Sequence, residues 1–246
     1  MARASNTDQR REQIVRGLLR VMARHGYAGA TIPAIAREAD LLPGLVHYHF
    51  ENKKAILLAL VALLEANVRA RYERLAARAE APRERLYAFL DAHVAKGPGA
   101  DPEAVACWVA LGAEAVADRE VRAAYRGVVE RELAELRSLI GPILLQHGRL
   151  EAAARDIAAA LLAAIEGAFR LAFVAEGAAR EGYASIALRR MADGLIAGAP
   201  RPYPELDPGP DVAIAAPGPA PRSPGRRPPA RENHKSNKRG RAPRSK

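Results

Sequence analysis

The chain has 246 residues, 49% of them hydrophobic and 5% aromatic, enough for one large or two small domains with a core. A single cysteine, Cys107, excludes an internal disulfide framework, and the polar start "MARASNTDQRREQ" is no secretory leader, so a cytoplasmic protein is expected. The formal charge of +10 is polarised: residues 201–246 hold 11 Lys/Arg against 4 Asp/Glu, residues 1–54 hold 9 against 5, and residues 55–200 hold 18 against 19. Basic ends around a neutral middle predict a polyanion partner at the ends and a different task between them.

A first helix is predicted over about residues 7–25. Ile14, Val15, Leu18, Leu19 and Met22 recur at helical spacing, Ser5 or Thr7 can cap its start, and Gly26 suits a left-handed residue past its end. Thr31 caps a short second helix with Ile32, Ile35, Ala36 and Ala39 on one face, ending near Asp40. The string that follows, "LLPGLVHYHFENKK" (41–54), admits three readings: hinge, metal site or reading surface. Proline is welcome in the first turn of a helix, so Pro43 starts a third helix with Val46 and Phe50 inward and His47 and Tyr48 outward. His47 and His49 stand two apart, on different helical faces, so they do not converge on a metal ion. Asn52 then caps a long fourth helix, with Lys53 and Lys54 in its first turn and Ile56, Leu57, Leu60, Leu63, Leu64 and Val68 inward, to about Ala79.

Further amphipathic segments cover 83–96, 102–115, 118–146 (kinked or ended at Gly141-Pro142), 151–176 and 183–197. The most apolar stretch, 157–177, contains Glu166 and Arg170, which argues for burial in protein and against a membrane span. From Arg201 onward stand 11 of the 18 prolines and almost no large apolar residue, a composition that predicts disorder, either as a solvated tail or as an added electrostatic contact to DNA.

Two short helices joined by a tight turn after a longer one make a helix-turn-helix at about 31–50, the second helix of which lies in the major groove. The expected DNA-facing residues are Thr31, Pro43, Gly44, Leu45, His47, Tyr48, His49, Asn52 and Lys53. Gly44 permits close approach, Leu45 suits a thymine methyl, His47 a base edge and Tyr48 a phosphate, while Lys53 and the amides of the fourth helix offer an anion site. No Gly-rich phosphate loop, nucleophile elbow or metal-ligand spacing is present, so neither cofactor, metal nor catalysis is expected. Cys107, beside Trp108 in an apolar helix, reads as an inert buried thiol.

"TIPAIAREADLLPGLVHYHFENKKAILLAL" resembles the DNA-binding domain of TetR-type repressors, through Thr31, Ile35, Ala36, Gly44, Tyr48, Phe50, Asn52, Lys53 and Leu57. Leu42, Pro43 and His47 depart from the family's usual small polar residue, Lys or Gln, and aromatic. "WVALGAEAVADREVRAAYRGVVERELAEL" and "AAALLAAIEGAFRLAF" resemble the ligand-binding half of the choline-responsive BetI-type subgroup. The resemblance implies an all-α fold with a three-helix head (8–68), an effector-binding and dimerising helical-bundle body (80–198) and a basic tail (201–246). It implies a homodimer through the last two helices, a double-stranded operator as partner and a small-molecule effector. Tyr87, Phe89, His93, Trp108, Glu114, Tyr125, Phe169 and Phe173 are the candidate effector pocket, where aromatics with Glu114 would suit a cation. The rival readings are a protein that coats DNA without sequence preference and a helical ligand-binding enzyme.

Overall fold

The computed structural model describes residues 6–94, 100–175 and 177–202. Among them every regular element is helical: α1 (Asn6–Gly29), α2 (Ile32–Glu38), α3 (Pro43–His49), α4 (Lys53–Ala76), α5 (Pro82–Val94), α6 (Pro102–Ala117), α7 (Arg119–Gln146), α8 (Ala154–Val174) and α9 (Tyr183–Gly198). One turn of 3-10 helix (Glu151–Ala153) precedes α8. The all-α expectation holds. The bulk of the Pro-rich tail, from residue 203 on, lies outside the described residues, as does Ser5.

Side-chain caps start four of these helices. Thr31 accepts from Ala34 N, Asn52 from Ala55 N, Asp101 from Glu103 N and Ala104 N, and Asp118 from Glu120 N and Val121 N. Thr7 caps nothing, because α1 already begins at Asn6. Gly26 interrupts α1 with φ 67 and ψ 175, a backbone that favours glycine but lies off the left-handed helical region.

α1 and α2 approach closely through Gly17, where a Cβ would stand 2.8 Å from the Ile35 carbonyl oxygen. The turn between α2 and α3 runs through Asp40, at φ 53, one of the few side chains that tolerate a left-handed conformation. α4 then leaves the first three helices and packs along α5; α7 packs on α5, α6 and α8, α8 also on α5 and α6, and α9 on α8 and α5. The buried apolar side chains form a contiguous core from Ile14, Leu18 and Ile35 to Leu136, Leu161 and Ile196.

Two details differ from the sequence-based expectation. α7 does not end at Gly141-Pro142 but carries Pro142 inside it and runs on to Gln146, the limit expected for this segment. A proline costs one helical hydrogen bond, and burial of Ile140, Ile143 and Leu144 on both sides of it outweighs that loss. α8 is not buried all round. Ile157, Leu161, Leu162, Ile165 and Phe169 face the core, while Ala159, Ala160, Ala163 and Gly167 face outward. By length and composition Glu151–Val174 would also pass as a membrane span, with mean hydropathy 1.9. Its inner face packs on α5, α6, α7 and α9, as expected of a bundle helix.

Candidate nucleic-acid interface and body pocket

α3 is anchored from beneath by Val46, fully buried, and by Phe50 at its C-cap, 4% exposed. Helical geometry then turns Pro43, Gly44, His47 and Tyr48 to solvent, and Leu42 and Tyr48 are 78% and 81% exposed, unusual for residues of that size. Leu45 and His49 are half-buried at the edges of this ridge. Thr31 and Asn52 are exposed caps on either side. Lys53 differs from the anion-site expectation: its Nζ donates to the Tyr27 carbonyl at 2.9 Å and lies 4.1 Å over the Tyr27 ring, fastening α4 to the end of α1. Among the described residues no group of three His, Cys, Asp or Glu is arranged to hold a metal ion.

The head is joined to the body through α6 and the α6–α7 turn. Cys107 Sγ donates to the Leu19 carbonyl at 3.4 Å, and burial pushes this thiol up to about 12, with Asp101 and Glu103 adding to the effect. Lys54 Nζ meets Glu120 at 2.9 Å and Asp118 at 3.4 Å. Burial, together with the charges of Glu114 and Asp118, raises the Tyr27 phenol above its ordinary value. Glu114 therefore stands within electrostatic reach of Tyr27 at this joint.

The other seven effector candidates do not form a single cage. Tyr87 donates to Asp193 at 2.6 Å, between α5 and α9. Phe89 and His93 stack at 4.5 Å, with Tyr72 edge-on to Phe89, around a cavity of about 40 Å3 between α4, α5 and α7. Trp108 meets Tyr125 edge-on at 5.9 Å. Phe169 is buried, and Phe173 is 54% exposed near the end of α8.

The structure adds two carboxylates to the interior. Glu132 accepts from or shares a proton with His93 Nε2 at 3.1 Å, while His93 Nδ1 faces the Phe89 carbonyl at 2.9 Å. Tyr125 donates to Glu166 at 2.8 Å at the rim of an open groove of about 370 Å3 between α7 and α8, floored by Val129, Leu133, Leu162 and Ala163. Burial raises Glu166 above the ordinary carboxylate range, and Glu132 adds to this, against the opposing effects of Tyr125 and His93. Among the described residues no lysine or arginine pairs with Glu166. Its sequence signal was an acid inside an apolar helix, which by itself does not say what the acid faces.

Two family models cover most of this architecture. The model described as "Bacterial regulatory proteins, tetR family" matches residues 14–60, from within α1 through α2 and α3 into α4. "BetI-type transcriptional repressor, C-terminal" matches residues 82–197, from α5 into α9. The chain belongs to the TetR family of transcriptional regulators. Among curated TetR-family relatives, it is 35% identical over 114 residues to the HTH-type transcriptional regulator BetI of Agrobacterium fabrum, covering 46% of this chain and 54% of that one. It is 34% identical over 113 residues to BetI of Rhizobium meliloti, covering 46% and 55%. The match thus spans about half the length of these relatives. Solved TetR-like structures share the fold: a putative TetR-family regulator from Rhodococcus sp. has a TM-score of 0.66 at 22% identity, covering 77% of this chain and 99% of that one. A putative transcriptional regulator from Saccharomonospora viridis, solved in complex with choline, has a TM-score of 0.63 at 23% identity, covering 78% and 97%.

Proposed function

We propose that the chain is a homodimeric, sequence-specific DNA-binding regulator, most simply a repressor, that a small-molecule effector releases from a palindromic operator. The observation that carries this reading is the exposed ridge of Pro43, Gly44, His47 and Tyr48 on a helix anchored by Val46 and Phe50, in a chain of the TetR family. Two such ridges on a two-fold axis enter successive major grooves about 34–36 Å apart. The outward faces of α8 and α9, with Ala160 and Gly167 on one and Ile186 and Met191 on the other, supply an apolar surface where helices of two subunits can approach closely. Domain limits of 8–68 for the reading head and 80–198 for the effector and dimer body follow from this division of labour.

The effector we favour is a small organic cation. Glu166 lines the open groove between α7 and α8 beside Tyr125, and Glu132 adds to the negative field there, so an ammonium group in the groove gains both charge neutralisation and ring contact. Choline bound to the Saccharomonospora viridis relative is consistent with that class. Such a ligand shifts the dimer only through its different affinity for the DNA-fitting and non-fitting states.

A mobility-shift assay of the full chain on the DNA upstream of its own gene, against random competitor, tests the DNA reading. A complex that resists competitor supports it, whereas sequence-blind binding that falls steeply with salt supports the coating protein instead. His47→Ala is expected to lower operator affinity by about 1–3 kcal/mol. Calorimetric titration with choline, and with the neutral analogue in which carbon replaces the ammonium nitrogen, tests the effector class. Equal heats for the two, or none for choline, reject it.

A further inference from the structure

We infer that Arg11 and Gln13 are positioning residues: two side chains of α1 hold the C-terminal carbonyls of α3 and α2 and so set the pose of the reading helix. The inference rests on the DNA-reading role proposed for α3.

α3 has little to hold it in place by itself. Seven residues are too few to sustain an isolated helix. Its N-cap, Leu42, supplies no side-chain hydrogen bond, Pro43 has no donor, and Val46 is the one residue of the helix that is fully buried. At the other end the chain turns extended at Phe50, and the His49 carbonyl has no helical donor to accept from. Arg11 fills that place. Its Nη1 donates to His49 O at 2.5 Å, and its guanidinium lies 4.1 Å over the Phe50 ring. A cation at a helix C-terminus also opposes the negative end of the helix dipole. The carbonyl it holds belongs to the residue next to Tyr48, and the Tyr48 and His49 rings touch edge-on at 5.1 Å.

The same device recurs one helix earlier. The carbonyl of Ala39, the C-cap of α2, accepts from Gln13 Nε2 at 2.5 Å, and Gln13 Oε1 is itself held by Arg10 at 2.8 Å. α1 therefore grips the end of α2 beside the turn through Asp40 and the far end of α3. Hydrogen bonds to base edges fail with displacements of a few tenths of an ångström, so a reading helix released at one end loses discrimination before it loses attraction for phosphate.

The test uses the full chain carrying Arg11→Gln, Arg11→Lys or Gln13→Ala. For Arg11→Gln the ratio of operator to random-DNA affinity is expected to fall by about tenfold, the worth of one charge-assisted hydrogen bond, with the salt slope unchanged. Hydrogen exchange of amides in residues 43–50 is expected to accelerate by a similar factor while that of α1 stays the same. Arg11→Lys, which keeps the charge and reach but loses the planar contact with Phe50, restores part of both. Gln13→Ala gives a smaller loss of the same kind. A salt slope lower by about one unit at an unchanged ratio would make Arg11 a phosphate contact and overturn the inference. So would a lower melting temperature with ratio and local exchange unaltered. Should the wild-type chain select no operator, the DNA reading itself falls, while the exchange measurement still decides whether Arg11 holds α3.

Discussion

The head and the body solve opposite packing problems. Around α1–α3 the fit is tight: Gly17 admits a backbone carbonyl where a methyl would stand, and Gln13, Arg11 and Lys53 tie separate elements together through main-chain oxygens. The body tolerates half-buried acids, an open groove beside Glu166 and an outward face of small and apolar residues on α8. A surface that must present several side chains to a rigid duplex needs a single pose. A body proposed to respond to a ligand needs polar groups whose partners can change.

The largest effect should come from a methyl placed at each kind of glycine. Gly17→Ala puts a Cβ 2.8 Å from Ile35 O and 3.2 Å from Ala39 Cβ, and is expected to cost about 1–3 kcal/mol in denaturant unfolding. Gly127→Ala in α7 meets only the flexible end of Arg131, at 3.3 Å, and is expected to gain up to about 1 kcal/mol from helix propensity. Equal losses at the two sites would erase the contrast between a tight head and a loose body.

Glu166 tests the body's polar interior. Its pKa is raised in the fold, so its contribution to stability is fully present below its unfolded pKa and is lost as pH rises through the folded value. Glu166→Gln removes that pH dependence, so its stability relative to wild type is expected to improve as pH rises above the ordinary carboxylate range. Unfolding curves of both proteins at several pH values measure it, and a flat difference would mean the carboxylate is solvated as usual.

A smaller effect is expected at the joint. Lys54→Ala removes two partly exposed ion pairs to Asp118 and Glu120 and should change stability by less than about 1 kcal/mol. If this joint carries the effector signal, the same substitution reduces the ratio of operator affinities measured with and without effector. Smallest of all, Cys107 in the native chain should react with a thiol reagent no faster than the protein unfolds, because the thiol is buried and its pKa lies near 12.

Most of the head was legible from residue order. Caps at Thr31 and Asn52, Pro43 as a first-turn residue and the Val46–Phe50 spacing are local features, and local rules place them correctly. The contact of Lys53 with the Tyr27 carbonyl was not legible, because the two stand 26 residues apart. The pocket was less legible. Glu114 and Glu166 are both acids in apolar helices, and nothing in their sequence neighbourhoods tells which one stands near Tyr27 and which one faces Tyr125.

The sequence by itself determined the helices, the caps at Thr31 and Asn52, the ridge of exposed residues on α3 and the resemblance that names the family, because helical periodicity and capping act over a few residues. Only the tertiary structure decided that α1 clamps the ends of α2 and α3, that Lys54 bridges to Asp118 and Glu120, and that Glu166 accepts from Tyr125 beside an open groove. Those assignments depend on which faces meet when helices far apart in the chain pack, and packing is settled by the core as a whole.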